Sequence, residues 1–146
     1  MLSTLAECPE KTLRAHPAAL LVLMRCMFNW NRVPEMQKLK QQLLAAVDEH
    51  PEWGMEERGN LLAECDLLQS FLYYNDIDAM SRMYLSASAR LTRPATNICP
   101  ADGWTFGSPS VLMMFHRTPG KMDEAVAAMR RYVPYYAETT NGHGRC

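Results

Sequence analysis

The sequence lacks any long uninterrupted apolar run, and this absence argues against a membrane protein. Its most apolar stretch, 18–28, contains Arg25 and is shorter than the roughly 20 residues that a membrane-spanning helix needs. The opening segment MLSTLAECPEK has no basic region, so it does not resemble a secretory signal peptide. We therefore expect a cytoplasmic protein that makes no contact with a membrane.

Closely spaced cysteines are also missing. The five cysteines, at 8, 26, 65, 99 and 146, are odd in number and form no C-x-x-C pair or zinc-ligand spacing with a histidine. Free thiols in a reducing compartment are the simplest interpretation, and we expect no metal or other cofactor. The net charge is −1 and basic residues form only short clusters, so direct binding of nucleic acid is not expected.

Catalytic motifs are absent as well. The sequence has no G-x-x-x-x-G-K-[ST] phosphate loop, no H-E-x-x-H pair and no G-x-S-x-G nucleophile turn. A Cys99–His116 nucleophile pair would need a thiolate activated by nearby positive charge, and nothing in the spacing enforces this. Asp123 and Glu124 lie at a predicted helix start, where they complement the helix dipole. We expect no enzyme activity and no catalytic residues.

The residues that are abundant favour helices. Leucine, alanine and methionine (11 Met) dominate the apolar fraction, whereas the β-branched residues typical of strands are sparse. Apolar positions recur with helical spacing, so we expect an all-α fold. The predicted helices run from Pro9-Glu10 through Ala15 and over 16–30, 33–50, 55–74, 76–91, 108–116 and 121–140, with a loop at 92–107.

Three turns resemble one another and indicate an internal repeat. They are FNWNRVPEM, LYYNDIDAM and MFHRTPGKMDEAV, in which Val33 precedes Ile77 by 44 residues and Ile77 precedes Met122 by 45. A period near 44 with two helices per unit predicts a right-handed α-solenoid of antiparallel hairpins, similar to a tetratricopeptide-repeat array but with a longer unit. The alternative is an ordinary helical bundle whose turns share generic chemistry.

The stretch WTFGSPSVLMMFHRTPG, at 104–120, has two interpretations. Its glycines, its Ser-Pro pair and its closing Pro-Gly are explained by turns and helix ends. We prefer a packing role for Trp104 and Phe106, which would seal the long loop against the predicted helix after it. The other interpretation is a recognition surface, because solenoids bind partners on their concave face. Its candidate residues are Trp104, Phe106, His116 and Arg117.

The predicted last helix carries several aromatic residues, more than one helix face can bury unaided. A solenoid cut before its terminal cap leaves an apolar end, which a second copy of the chain could cover. We therefore expect a homodimer. The candidate self-association residues are Tyr132, Tyr135 and Tyr136.

The sequence also resembles a known family. The segments PEKTLRAHPAALLVLMRCMFNWNRVPEMQKL, NDIDAM, GWTFGSPSVLMMFHRTPGKMDEAV and YVPYYAETTNGHGRC are similar to the helical-repeat sensor region of MalT-like LuxR-type transcriptional regulators, which belong to the signalling-ATPase class. The resemblance runs from about Glu7 to Arg145. It implies an ATPase before this region and a DNA-binding helix-turn-helix after it, and the chain has neither. It therefore resembles a single helical-repeat domain, 1–146, from a longer regulator.

These observations lead to two expected functions. The first is a non-enzymatic sensor or protein-interaction module that binds a protein partner or a second copy of itself. The alternative is a domain that binds a small-molecule effector in a pocket on the concave face near Trp104.

Overall fold

The structure, a computed structural model, describes residues 9–73, 75–98 and 116–143, and over these residues it contains helices and no strand. Six α-helices lie in this part of the chain: α1 (Glu10–Arg14), α2 (Pro17–Asn29), α3 (Val33–Glu49), α4 (Met55–Ser70), α5 (Ile77–Arg90) and α6 (Met122–Thr139). Short 3₁₀ turns, Pro51–Trp53 and Phe71–Tyr73, flank α4. The prediction of an all-α fold is confirmed for these residues, and the helix bounds agree closely. The predicted helix at 108–116 lies outside them apart from His116, which is not helical.

Local sequence explains where several helices begin. Pro17 is the first residue of α2 and Pro34 the second of α3, positions where the missing N–H of proline costs no hydrogen bond. Asp76 caps α5, because its side chain accepts a hydrogen bond of 2.9 Å from the Ala79 N–H. Proline also occurs where it does not favour a helix: Pro134 lies inside α6, where it removes one backbone donor.

The helices pack against one another around one apolar core. Helix α2 pairs with α3 and α4 pairs with α5, while α6 packs along α5 and α2 also contacts α4. A chain of aromatic rings crosses these contacts: Phe71 lies 5.3 Å from Phe28 and 6.5 Å from Tyr136, which lies 5.0 Å from Tyr84. These rings join α2, the end of α4, α5 and α6, and each buries a large apolar area.

The predicted repeat is supported only at its turns. Helices α3, α5 and α6 begin at Val33, Ile77 and Met122, the three residues that the repeat places at equivalent positions. The packing between units differs, however. The first helices, α2 and α4, touch, whereas α3 and α5 have hardly any contact; α5 and α6, by contrast, pack along much of their length. The described residues therefore establish helical packing between neighbours and leave a 44-residue solenoid as a prediction.

A buried carboxylate fixes the chain after α5. Glu64 of α4 is 1% exposed and accepts hydrogen bonds from the backbone N–H groups of Thr96 (3.0 Å) and Asn97 (3.1 Å). The Asn97 side-chain amide donates to it at 2.9 Å, and Arg93 Nη1 lies 2.6 Å from its Oε1. A carboxylate is costly to bury unless it is paired and hydrogen-bonded, and here every donor comes from one short segment. We call residues 92–97 the clasp segment.

Further hydrogen bonds, apart from those to Glu64, join the clasp segment to three helices. Asn60, one turn before Glu64, exchanges two hydrogen bonds of 3.0 Å with Thr92. Arg25 of α2 donates to the Asn97 carbonyl, and the Ala95 N–H donates to the Thr139 carbonyl of α6 at 2.7 Å. The clasp segment therefore joins α2, α4 and α6, and it fixes the point where the chain leaves the helical core.

Replacing Glu64 by alanine is expected to lower the free energy of unfolding by about 3 kcal/mol, because its donors would lose their acceptor inside the protein. Urea denaturation of the variant measures this change. Glu57→Ala is the matched control, since Glu57 also pairs with Arg93 but is about half exposed and should contribute little. Equal losses in the two variants would contradict the structural role given to Glu64.

Candidate functional site

A cleft of about 480 Å³ lies between the N-terminal ends of α5 and α6. This volume falls within the range of sites that hold small molecules. One wall comes from the start of α5, the other from α6 and the residues that precede it. Its lining residues are Asn75, Asp76, Ile77, Asp78, His116, Thr118, Lys121, Glu124, Ala125 and Ala128.

The cleft has an apolar floor and a charged rim. Ile77 and Ala125 are both 5% exposed and pack into the core, so their outer faces form the floor. Asp78, Lys121 and Glu124 are exposed at the rim. An apolar surface with a few polar groups at its edge is the usual composition of a ligand site, where the apolar part gives affinity and the polar groups give orientation.

His116 forms part of the cleft wall and has unused hydrogen-bonding capacity. Its side chain is largely buried, with 6% of the residue exposed, and neither ring nitrogen has a hydrogen-bond partner. An imidazole carries a donor and an acceptor in its neutral form, or two donors when protonated. Leaving buried polar atoms unpaired costs about 1–3 kcal/mol each. Among the residues that the structure describes, His116 is therefore a buried polar group without a hydrogen-bond partner.

The backbone beside His116 is fixed against α5. The Arg117 N–H donates to the Asn75 side-chain oxygen at 2.8 Å, and Arg117 Nη1 donates to the His116 carbonyl at 2.9 Å. Asn75 comes directly before Asp76, the cap of α5. The position of His116 thus depends on the same turn that starts α5.

The rim charges are only partly paired. Asp76 accepts a hydrogen bond from the helix it caps, and Glu124 forms an ion pair of 2.7 Å with Lys121. Asp78 has no hydrogen bond or ion pair to any described side chain. Three carboxylates therefore face one ammonium group across the cleft.

The structure describes two of the four predicted binding residues, His116 and Arg117. Trp104 and Phe106 lie outside the described residues, as does Cys99. His116 lies in the cleft wall. Its side chain is buried, whereas the sequence placed it at the end of the predicted helix 108–116. Arg117 is exposed beside the cleft without lining it. The predicted pocket near Trp104 stays a prediction, but His116 from that stretch does line a cleft.

The three tyrosines of α6 have different environments. Tyr136 is 0% exposed and its hydroxyl is hydrogen-bonded to His143 Nδ1 at 2.8 Å, so it belongs to the core and not to a contact surface. Its burial raises the pKa of the phenol. Tyr132 is half-buried against the core, and Tyr135 is 39% exposed. Self-association stays a prediction, now carried mainly by Tyr135.

Sequence reasoning missed two features of this region. It gave no role to His143, which the structure buries at 2% exposure against Tyr136. It also overlooked Asp78 and Lys121, which single motifs do not distinguish from ordinary helix-start residues. The repeat could have pointed to the cleft. Ile77 and Met122 occupy equivalent positions in it, and the cleft lies between the two helices that these residues begin.

A metal-binding cluster and a membrane-spanning helix are both absent from the described residues. Among the described residues, no group of three His, Cys, Asp or Glu side chains is arranged to hold a metal ion. None of the helices over the same residues has the length and apolar content needed to cross a membrane.

His116→Phe is expected to leave the free energy of unfolding unchanged or to raise it by about 1 kcal/mol, because it removes polar atoms that have no partner. His143→Phe is the control and should lower it by about 1–3 kcal/mol, because the Tyr136 hydroxyl would lose its partner in the core. Both values come from chemical denaturation. A clear loss of stability in His116→Phe would show that the imidazole serves the fold.

Comparison with known proteins identifies no relative. No protein-family model matches the sequence, and neither a curated protein nor a solved structure shows significant similarity to the chain.

Proposed function

We propose that this chain is a non-enzymatic sensing module that binds a small polar molecule in the cleft between α5 and α6. The observation that carries the proposal is His116, a buried imidazole without a hydrogen-bond partner in the wall of a cleft of about 480 Å³. Buried polar groups in native proteins nearly always have a partner, so an unpaired one at a cleft points to a partner from outside the chain, such as a ligand, a water or an ion. A ligand that hydrogen-bonds the ring would remove the energetic cost of leaving the imidazole nitrogens unpaired.

The position of the cleft suits a sensor. Its two walls belong to α5 and α6, which pack along each other and share the core through Tyr84 and Tyr136. A ligand that contacts both walls would bind more tightly to one relative placement of α5 and α6 than to others. This difference in affinity is what lets a ligand shift the equilibrium between conformations. The resemblance of the sequence to MalT-like LuxR-type regulators is consistent with this role, although the family assignment is itself a proposal.

A protein-interaction module is the second candidate, favoured by exposed aromatic residues at two helix ends. Trp30 follows α2 and is 46% exposed, and Tyr73 follows α4 and is 39% exposed. They stand two residues after Phe28 and Phe71, whose rings are in contact. Tryptophan and tyrosine often dominate the energy of protein interfaces. A partner or a second copy of the chain could bind there without involving the cleft.

The cleft is tested by filling it. Ala128 is half-buried in the lining, and Ala128→Phe should block the cleft; Ala127→Phe places the same ring at the adjacent exposed position. Thermal-shift measurements with a set of small polar metabolites should find compounds that raise the melting temperature of the wild type and of Ala127→Phe but not of Ala128→Phe. A ligand at about tenfold over its Kd stabilises a protein by about 1.4 kcal/mol, which corresponds to a shift of a few degrees.

Two results would reject the proposal. One is a complete absence of stabilising compounds, and the other is stabilisation that persists in Ala128→Phe. Circular dichroism of both variants checks that each retains its helical fold.

A further inference from the structure

We infer that the ligand of this cleft is a cation, specifically a protonated amine with a short apolar chain. The inference rests on the proposed function and adds the chemical class of the ligand. It depends on which groups of the cleft remain without a partner once the contacts within the protein are counted.

Most polar groups of the cleft are already paired. The Asp76 carboxylate is engaged by the N–H of Ala79, and Lys121 and Glu124 neutralise each other at 2.7 Å. What remains is the His116 ring, 6% exposed with both nitrogens unpaired, together with the exposed Asp78 carboxylate and Thr118 hydroxyl, which have no partner among the described residues. An ammonium group can donate both to the Asp78 carboxylate and to the acceptor nitrogen of a neutral His116 ring, and its charge is opposite to that of Asp78.

The net charge of the lining supports the same choice. The cleft contains three carboxylates and one ammonium, so it stays negative whether His116 is neutral or protonated. Like charges placed together are unfavourable and opposite charges attract, most strongly where the site is partly shielded from water. A carboxylate or phosphate ligand would face Asp78, and the lysine that lines the cleft is held by Glu124.

The helix ends at the cleft do not reverse this preference. Helix N-termini attract anions because their first N–H groups are unpaired. At α5 this role is taken by Asp76, and the first turn of α6 already contains Asp123 and Glu124. The protein therefore supplies its own anions to both helix starts, and Asp78 adds a further negative charge.

The floor explains the apolar part of the ligand. Ile77, Ala125 and Ala128 supply the apolar part of the lining. Burying apolar surface contributes about 25 cal/mol per Å², which a ligand made only of charged groups would not gain. A short alkyl chain with a terminal ammonium fits the floor and the rim together.

Three probes of similar size separate charge from shape: pentylamine, 1-pentanol and pentanoate. They are titrated into the full chain while the His116 ring is followed by NMR, with His116→Phe used to assign its signals. Pentylamine should perturb the His116 signals at the lowest concentration. Asp78→Asn should weaken its binding about fivefold, near the upper limit for an exposed ion pair, and added salt should weaken it further.

The matched control for Asp78→Asn is Asp123→Asn. Asp123 is an exposed carboxylate near the start of α6 that does not line the cleft, so the substitution removes the same charge from the chain and should leave pentylamine binding unchanged. Equal weakening by both variants would mean that the overall charge, and not Asp78, attracts the amine, and it would overturn the inference.

The other outcomes distinguish the ligand class from the function itself. If 1-pentanol or pentanoate binds as tightly as pentylamine, and the binding is lost in Ala128→Phe, the inferred ligand class is wrong and the proposed binding function stands. The same holds if none of the probes binds and the metabolite set yields only neutral or anionic ligands that Ala128→Phe excludes. If no probe and no metabolite binds in the cleft, both the inference and the proposed function fail.

Discussion

The buried carboxylate of Glu64 is the contact on which the layout of this chain depends. It lies on α4, the helix that packs against both α2 and α5, and it takes its donors from the clasp segment. By holding residues 92–97 it determines where the chain leaves α5, and through the Ala95 contact to Thr139 it also positions the end of α6. The pair of helices α5 and α6 is therefore fixed at its C-terminal end by the contacts of this carboxylate, and at its N-terminal end, where the cleft lies, by the turn at Asn75.

Much of the fold was predictable because helix formation is local. Apolar spacing in the segments that became α3 and α5 indicates one buried face each, and proline or aspartate at their starts gives the bounds. The starts at Val33, Ile77 and Met122 followed from the likeness of three turns. The packing of one unit on the next did not follow, because it depends on contacts between residues far apart in sequence.

The candidate site was predictable only in part, for the same reason. His116 was singled out because of its unusual neighbours, but its burial depends on how 116–117 meets the turn before α5. Glu64 gave no signal at all, since a single glutamate within a helix is most often solvated. Tyr136 was expected at a self-association surface, but it pairs with His143 in the core because the chain turns back at the end of α6.

Pro134 gives α6 two mechanically different halves. The N-terminal half lines the cleft with Lys121, its cap residue, and with Glu124 and Ala125, whereas the C-terminal half carries Tyr136 in the aromatic core. The proline removes one rung from the ladder of backbone hydrogen bonds between them, and such sites are where helices bend. The cleft wall and the aromatic core therefore lie on opposite sides of the proline within one helix. Under the proposed function, a bend at Pro134 would let α6 adjust to a bound molecule without displacing Tyr136.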